Sequence, residues 1–294
     1  WPRAVPGLSA TPVAVGVLGH EEPSVVAGTD AGEVYAFAPD GELRDGWPAS
    51  LPVPGETHVS IGALGGPYPR VVVAMAGDRL AFLNYRGVAP PGASVWTYTT
   101  ETFAGPAAFV DIDGDGVSEV VVATGGWVHA REMLGSATDM LRLLPAATSA
   151  PVSLADLDFD GLAEIIAPTE NGQLFVLDEG GSDHPGFPFA SPTGSRLTAA
   201  AVANVLGGAA PEIAFSAYEW TTHLVYQDGD EQNGYPVEPG TGWYAIAAPI
   251  MGRVDGFSGD VATASRGGDV WAFDNFGNVV DGWPQPMGGA NQVE

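Results

Sequence analysis

One sequence frame recurs along the chain every 45 to 49 residues, and this repeat limits the possible folds more than any other feature. Its clearest mark is Gly, then an aromatic residue, then Pro, which occurs at 46–48, 186–188, 234–236 and 282–284. Weaker copies of the aromatic position fall at Trp1, Trp96 and Leu141. A fixed period of this length is typical of repeat architectures, in which each unit is one supersecondary element.

A second motif follows the same frame. A glycine precedes a short stretch that ends in Phe or Leu and alternates large apolar residues, at 32–37, 77–82, 172–177 and 268–273, with weaker copies at 127–130 and 223–226. Each unit also contains an Ala- and Val-rich run and a second apolar run, and none shows useful helical periodicity. Four short strands in each unit are typical of a β-propeller blade.

The sequence therefore predicts an all-β fold, a β-propeller of about six four-stranded blades. We place the blades at about 7–50, 51–97, 98–143, 144–189, 190–237 and 238–287, within one domain that spans 1–294. We expect the repeated aromatic residues to pack between blades rather than to stack on a ligand, because large side chains fill the gap that widens toward the outer edge.

The edge motif occurs seven times, at Trp1, Trp47, Trp96, Leu141, Phe187, Tyr235 and Trp283, whereas the other three strands occur six times. Six blades need only six edge strands, so one terminal copy is surplus. We expect the chain to be a segment of a longer polypeptide. A seven-bladed propeller whose seventh blade lies elsewhere is the alternative.

Two segments, 111–119 and 156–164, carry a dense pattern of carboxylates. Each has acidic residues at positions 1, 3, 5 and 9 and a Gly at position 6. Alternate residues of a tightly curved loop can point at one centre, and Ca²⁺ takes six to eight oxygen ligands of this kind. An EF-hand begins in the same way but needs Glu at position 12, where this chain has Val122 and Ala167. Two Asp- and Gly-rich hairpin loops without a metal are the alternative.

We predict two Ca²⁺ sites, one in each loop, built from four carboxylates and the carbonyl at position 7. The ligands would be Asp111, Asp113, Asp115, Val117 and Glu119 in the first loop, and Asp156, Asp158, Asp160, Leu162 and Glu164 in the second. The other units have lost most of these acids. The segment 204–212 keeps only its ends, 252–260 keeps only Asp260, and 16–24 and 62–70 keep none.

The blade frame, together with 111–119 and 156–164, resembles the FG-GAP (VCBS-like) repeat family, whose blades build the integrin α-chain propeller and many bacterial surface proteins. The resemblance implies that the acidic loop between the first two strands of a blade binds calcium, through the residues given above. The chain departs from the family pattern because its loops end in Glu rather than the commoner Asp. It also lacks a clean Phe-Gly…Gly-Ala-Pro signature.

The charge is strongly unbalanced, with 36 acidic residues against ten Arg and no Lys, for a net charge of −26. Such a chain repels nucleic acid and anionic lipid headgroups. No run approaches the length of apolar sequence that spans a bilayer, so we expect no membrane insertion. The absence of cysteine excludes a disulfide framework and thiol chemistry. Calcium sites of millimolar affinity suit the outside of the cell, so we expect the protein to be secreted, in an extracellular or cell-surface location.

No common catalytic motif is present: there is no Gly-x-Ser-x-Gly, no His-Glu-x-x-His, no P-loop and no dinucleotide-binding glycine pattern. The sequence favours a non-catalytic, calcium-stabilised module that binds a protein or glycan partner, as in adhesion. A structural subunit of a surface layer or filament, which would self-assemble, is one alternative. An accessory or catalytic domain of a secreted hydrolase or lyase is another.

Exposed aromatic residues in the connecting loops are the partner contacts that we expect. Aromatic side chains bury a large area at a small cost in conformational entropy, and they dominate many interfaces. The candidates are Tyr68, Trp220, Trp243 and Tyr244.

Overall fold

The computed structural model describes residues 4–7, 12–19, 22–51, 55–64, 71–93, 95–98, 102–134, 140–218, 220–240, 247–254 and 259–287. These residues form 23 strands and no helix. Within the same ranges, no helix has the length and apolar character needed to cross a membrane. The chain divides into two compact units, Trp1–Pro145 and Ala146–Glu294, each of which contains three sheets.

The first unit contains three four-stranded antiparallel sheets in which consecutive strands are neighbours. The first sheet comprises β1 (Ala14–Val17), β2 (Pro23–Gly28), β3 (Glu33–Phe37) and β4 (Ala49–Ser50). The second comprises β5 (Thr57–Gly62), β6 (Val71–Ala76), β7 (Arg79–Leu83) and β8 (Trp96–Thr97). The third comprises β9 (Ala108–Val110), β10 (Glu119–Thr124), β11 (Trp127–Glu132) and β12 (Met140–Leu143).

The second unit repeats this arrangement. The fourth sheet comprises β13 (Ser153–Ala155), β14 (Glu164–Pro168), β15 (Gln173–Leu177) and β16 (Phe189–Ala190). The fifth comprises β17 (Ala201–Ala203), β18 (Glu212–Ala217) and β19 (Thr221–Val225), with a single bridge from Thr222 to Val237 at its outer edge. The sixth comprises β20 (Ile250–Gly252), β21 (Asp260–Ala264), β22 (Asp269–Phe273) and β23 (Gln285–Pro286).

Six sheets of consecutive antiparallel strands confirm the predicted all-β fold, a six-bladed β-propeller. The second strand of a sheet is the most buried. Every residue of β6, β10, β14 and β18 is buried. A strand that is covered on both faces reads as a continuous apolar run rather than an alternating one, as in Val71–Ala76.

The Gly-aromatic-Pro corner joins the first sheet to the second, the fourth to the fifth and the fifth to the sixth. Gly46 has a left-handed backbone with φ of 89°, and a Cβ there would overlap the carbonyl oxygen of Arg86 in the second sheet. The indole Nε1 of Trp47 donates a hydrogen bond of 3.1 Å to the carbonyl of Tyr85. Trp47 is buried in a cluster that includes Val59 of the second sheet. This aromatic residue therefore packs between blades, as predicted.

The same corner recurs in the second unit. A Cβ on Gly186 would overlap the carbonyl oxygen of Asp228, and one on Gly234 would overlap that of Phe276. The Tyr235 hydroxyl donates a hydrogen bond of 2.9 Å to the Asp274 carbonyl. The corner is therefore a direct backbone contact between neighbouring sheets, and only glycine leaves room for it.

We expect Gly186→Ala to lower the free energy of unfolding by about 2–5 kcal/mol, because the new Cβ must displace the Asp228 carbonyl and also sits on a left-handed backbone. Gly282→Ala is the matched control. Gly282 has a similar φ of 87°, but no atom of the described residues lies within 4 Å of the added Cβ. This control should lose only the backbone term, about 1–2 kcal/mol. Urea unfolding of both variants measures the difference, and equal losses would contradict the contact.

Candidate functional site

The first acidic loop, Asp111–Glu119, connects β9 to β10. One carboxylate oxygen each from Asp111, Asp113 and Asp115 lies within 4.8 Å of the others. The N–H groups of Gly114 and Gly116 both donate to the Asp111 carboxylate at 2.8 Å. These bonds curl the chain around Asp111, so that alternate side chains converge as the sequence predicts.

The second acidic loop, Asp156–Glu164, connects β13 to β14 and gathers a different set. Oxygens of Asp156, Asp158 and Glu164 lie within 4.8 Å of one another. Asp160 accepts a hydrogen bond of 2.8 Å from the Leu162 N–H. Asp156 Oδ1 is buried and has no hydrogen-bond partner among the described residues, so it offers a carboxylate oxygen that a cation would satisfy.

Position 7 of each loop is oriented by its own N–H. The Val117 N–H donates to Asp115 Oδ1 at 2.7 Å, and the Leu162 N–H makes the equivalent bond to Asp160. The carbonyls of Val117 and Leu162 stay predicted ligands.

The acidic residue at position 9 has a structural role that the sequence did not reveal. Glu119 is buried, and its Oε2 accepts a hydrogen bond of 2.6 Å from the Ile112 N–H across the loop. Glu164 does the same for the Leu157 N–H, also at 2.6 Å. This bond closes the loop because it ties the start of the second strand to the end of the first.

A closing bond of the same kind occurs in two of the four loops that lack the Asp residues. Glu212 accepts a hydrogen bond from the Val205 N–H at 2.8 Å, and Asp260 accepts one from the Val254 N–H at 2.6 Å. The sequence contained a signal for this role. The segments 204–212 and 252–260 lack the Asp residues of positions 1, 3 and 5 but keep an acid at position 9. We therefore assign the position 9 carboxylate first to loop closure.

Burial raises the pKa of the Glu164 carboxyl, although the hydrogen bond from the Leu157 N–H opposes this shift. The nearby His184 also lowers it. His184 is buried, and its Nδ1 lies 2.7 Å from Asp178 Oδ1. Ligand atoms of Glu164, Asp178 and His184 lie within 4.8 Å of one another. The short hydrogen bond between His184 and Asp178 explains why the atoms of this third group lie close together without a metal.

Two aromatic residues have left-handed backbones, and they are the only non-glycine residues of the described ranges that do. Phe159 has φ of 64° at position 4 of the second acidic loop, where the first loop has Gly114 with φ of 76°. Trp220 has φ of 90° in the turn between β18 and β19. Both are exposed, Phe159 by 59% and Trp220 by 41%. A left-handed backbone is unfavourable for a bulky residue.

Among the predicted partner contacts, the structure places Trp220 on the surface. Its role in binding stays a prediction. Tyr68, Trp243 and Tyr244 lie outside the described residues.

Phe159→Gly is expected to raise the free energy of unfolding by about 0.5–1 kcal/mol, because it removes backbone strain that exceeds the entropic cost of glycine. Gly114→Ala is the reciprocal change and should lower the same quantity by about 1–2 kcal/mol. Thermal unfolding in excess EGTA measures both effects without bound cations. A loss of stability in Phe159→Gly would show that packing of the phenyl ring outweighs the strain.

No protein-family model matches this sequence, and no curated protein is detectably similar to it in sequence. Solved structures do match. BBS1N, crystallised in complex with ARL6DN, superposes with a TM-score of 0.63 at 14% identity over 93% of this chain and 82% of that chain. BamB from Moraxella catarrhalis gives a TM-score of 0.64 at 15% identity over 96% of this chain and 78% of its own.

The V. cholerae biofilm matrix protein Bap1 gives a TM-score of 0.54 at 17% identity. That match covers 76% of this chain but only 38% of Bap1. Identities this low carry information about fold alone. BBS1N and BamB are propeller-type structures, and this chain shares their fold.

Proposed function

We propose that this chain is a non-catalytic β-propeller of the FG-GAP/VCBS-like type, which calcium stabilises and which binds a protein or glycan partner outside the cell. The observation that supports it most directly is the convergence of three carboxylates in each of the two acidic loops. The four-stranded sheets that carry these loops supply a rigid scaffold, and the connecting turns supply the surface.

The residues present fit a calcium ion. Calcium–oxygen distances are about 2.3–2.6 Å, so ligands on opposite sides of one ion are about 4.6–5.2 Å apart. The oxygens of Asp111, Asp113 and Asp115 lie within 4.8 Å of one another, which is compatible with one shared ion. All the donors are oxygens, which suit calcium better than zinc.

The second loop fits in the same way through Asp156, Asp158 and Glu164. The buried Asp156 Oδ1 would gain a partner, and a cation would oppose the rise in the pKa of Glu164 by favouring its charged form. Further ligands would come from Glu119 in the first loop and Asp160 in the second, with the carbonyls of Val117 and Leu162.

A structural role for the ion follows from where the loops lie. Each loop connects the first two strands of a sheet, so a bound ion would join β9 to β10 and β13 to β14. Several like charges in one short loop repel each other, and a divalent cation removes that repulsion. An ion surrounded by protein carboxylates keeps few positions for a substrate, whereas a catalytic metal keeps one open.

The proposed partner is supported by the structural neighbours. BBS1N, which has the same fold, was crystallised in complex with ARL6DN, and we propose that this chain likewise binds a macromolecule. Bap1 is a biofilm matrix protein, which supports a second candidate function, a structural subunit of an extracellular matrix that self-assembles. Both functions agree with secretion into a medium that contains calcium at millimolar concentration.

Calorimetric titration of EGTA-stripped protein with Ca²⁺ should reveal two sites and a Tm that rises with calcium concentration. At a calcium concentration of about one hundred times Kd, each site adds about 2.7 kcal/mol to the free energy of unfolding. Asp113→Ala should remove one site, Asp158→Ala the other, and the double variant both.

Two glutamates provide a matched control. Glu164→Gln should lose the response of the second site, because the amide keeps a hydrogen-bond acceptor for Leu157 N–H but not the charge. Glu212→Gln alters the same closing bond in a loop without the Asp residues, so its calcium response should equal that of the unmodified protein. Absence of binding heat together with a Tm that is independent of calcium would refute the proposed ion.

A further inference from the structure

A cavity of about 530 Å³ lies between the fourth and fifth sheets, within the second unit. One wall comes from the second acidic loop, through Asp158 and Phe159. Another comes from the equivalent segment of the fifth sheet, through residues between 206 and 212. Gln227, two residues beyond the end of β19, also lines the cavity. Sites for small ligands have volumes of about 300–1,000 Å³, so the space suffices for one side chain of a partner.

The wall from the fifth sheet is apolar because this segment lacks the Asp residues of the acidic loops. Leu206 and Gly208 stand where those loops have Asp at positions 3 and 5. Ala209 and Ala210 follow them, and all four residues line the cavity. Such a wall can accept the methylene groups of a flexible side chain.

Phe159 supplies an aromatic surface to the same cavity. Its backbone is left-handed, with φ of 64°, and its side chain is 59% exposed. The phenyl ring contacts no other ring of the described residues, so aromatic packing does not account for its presence. Strained residues of this kind cluster at functional sites. A ring kept beside a cavity at a cost in stability points to a ligand that packs against it.

The charged residues that line this cavity, within the described part of the chain, are both acidic: Asp158 and Glu212. Glu212 is only 2% exposed. Its Oε2 accepts hydrogen bonds from the Val205 and Leu206 N–H groups, at 2.8 and 3.2 Å. Its Oε1 accepts none from the described residues, and the Gln227 amide has no partner among them either. A buried carboxylate oxygen without a donor favours a cationic ligand.

We propose that this cavity binds a lysine side chain of a protein partner. The ammonium group would donate a hydrogen bond to Glu212 Oε1, and its positive charge would be attracted to the face of the Phe159 ring. The methylene groups of the lysine would pack on Ala209 and Ala210. This assignment rests on the proposed function, for which it names the class of partner.

Two observations favour lysine of another protein over the alternatives. The backbone bonds to Glu212 Oε2 leave one carboxylate oxygen open, whereas the paired hydrogen bonds of an arginine fork need both oxygens. The chain itself contains no lysine, so neither its own residues nor a second copy can fill the site. The ammonium is assigned to Glu212 because Asp158 is a predicted calcium ligand.

NMR titration of the isotope-labelled whole chain tests this assignment, with Nα-acetyl-lysine N-methylamide as the probe. The buffer contains saturating calcium and about 0.15 M NaCl, which screens long-range attraction to the acidic surface. We expect saturable shifts of the amide signals of 206–212 and Gln227, with a Kd of about 1 mM for a ligand of this size. The corresponding arginine compound and the Nε-acetylated lysine compound, which lacks the charge, should each bind at least about fivefold more weakly.

Phe159→Gly and Glu212→Gln should each raise the Kd of the lysine probe about fivefold or more, because one removes the ring and the other the charge. Glu56→Gln is the matched charge control, since Glu56 is an exposed glutamate of the first unit, and it should bind the probe normally. Phe159→Gly relieves backbone strain, so its loss of affinity would not reflect unfolding.

Three results would overturn the lysine site: no saturable shift with the lysine probe, equal affinity for the arginine or Nε-acetylated compound, or unchanged affinity in Phe159→Gly. Shifts of the same signals by a neutral saccharide such as maltotriose, without any effect of the lysine probe, would also overturn it. Glu212 is not a predicted calcium ligand. A repeat of the titration in EGTA therefore separates failure of the lysine site from failure of the calcium sites.

Discussion

Glycine backbones touch where the first sheet meets the second, the fourth meets the fifth and the fifth meets the sixth. A Cβ on Gly87 would lie 2.8 Å from the carbonyl oxygen of Gly46, and a Cβ on Gly46 would overlap the carbonyl of Arg86. The pairs Gly186 with Gly229 and Gly234 with Gly277 repeat this contact in the second unit. Because no side chain fits between the two backbones, the contact fixes how closely one sheet approaches the next. The aromatic residue that follows the glycine then packs behind the contact, as buried Trp47 and Tyr235 do.

The position 9 carboxylate closes the loop between the first two strands of a sheet, and this role is separate from cation binding. Glu212 and Asp260 close loops that have no cluster of Asp residues, so the bond to the backbone N–H does not depend on the Asp residues. In the two acidic loops, the carboxylates of positions 1 to 5 are added to a turn that is already closed. A loop without the Asp residues, such as 204–212, still connects the first two strands of its sheet. Folding and cation affinity can therefore vary independently from one repeat to the next.

At the two strained aromatic residues, by contrast, the backbone conformation lowers the stability of the fold. Phe159 and Trp220 stand where sister repeats have glycine, and both expose a large ring to solvent. Backbone strain is tolerated at these positions because the hairpin hydrogen bonds hold the turn, such as the bond of 3.2 Å from the Trp220 N–H to the Ala217 carbonyl. A comparison of repeats therefore separates residues that the fold requires from those that it merely accommodates.

The sequence by itself determined the repeat, the strand type and the acidic loops, because all three depend on local patterns: a fixed spacing, alternating apolar residues and Asp at alternate positions. Six sheets and the convergence of Asp111, Asp113 and Asp115 confirm those predictions. Tertiary structure decided the rest. Leu141, read as a weak copy of the aromatic position, is 53% exposed because β12 turns the preceding Met140 inward instead. The buried bond of Glu119 and the choice of Glu164 over Asp160 in the second group both depend on backbone directions within the loops. Spacing along a chain does not encode those directions, so only the folded structure shows which atoms meet.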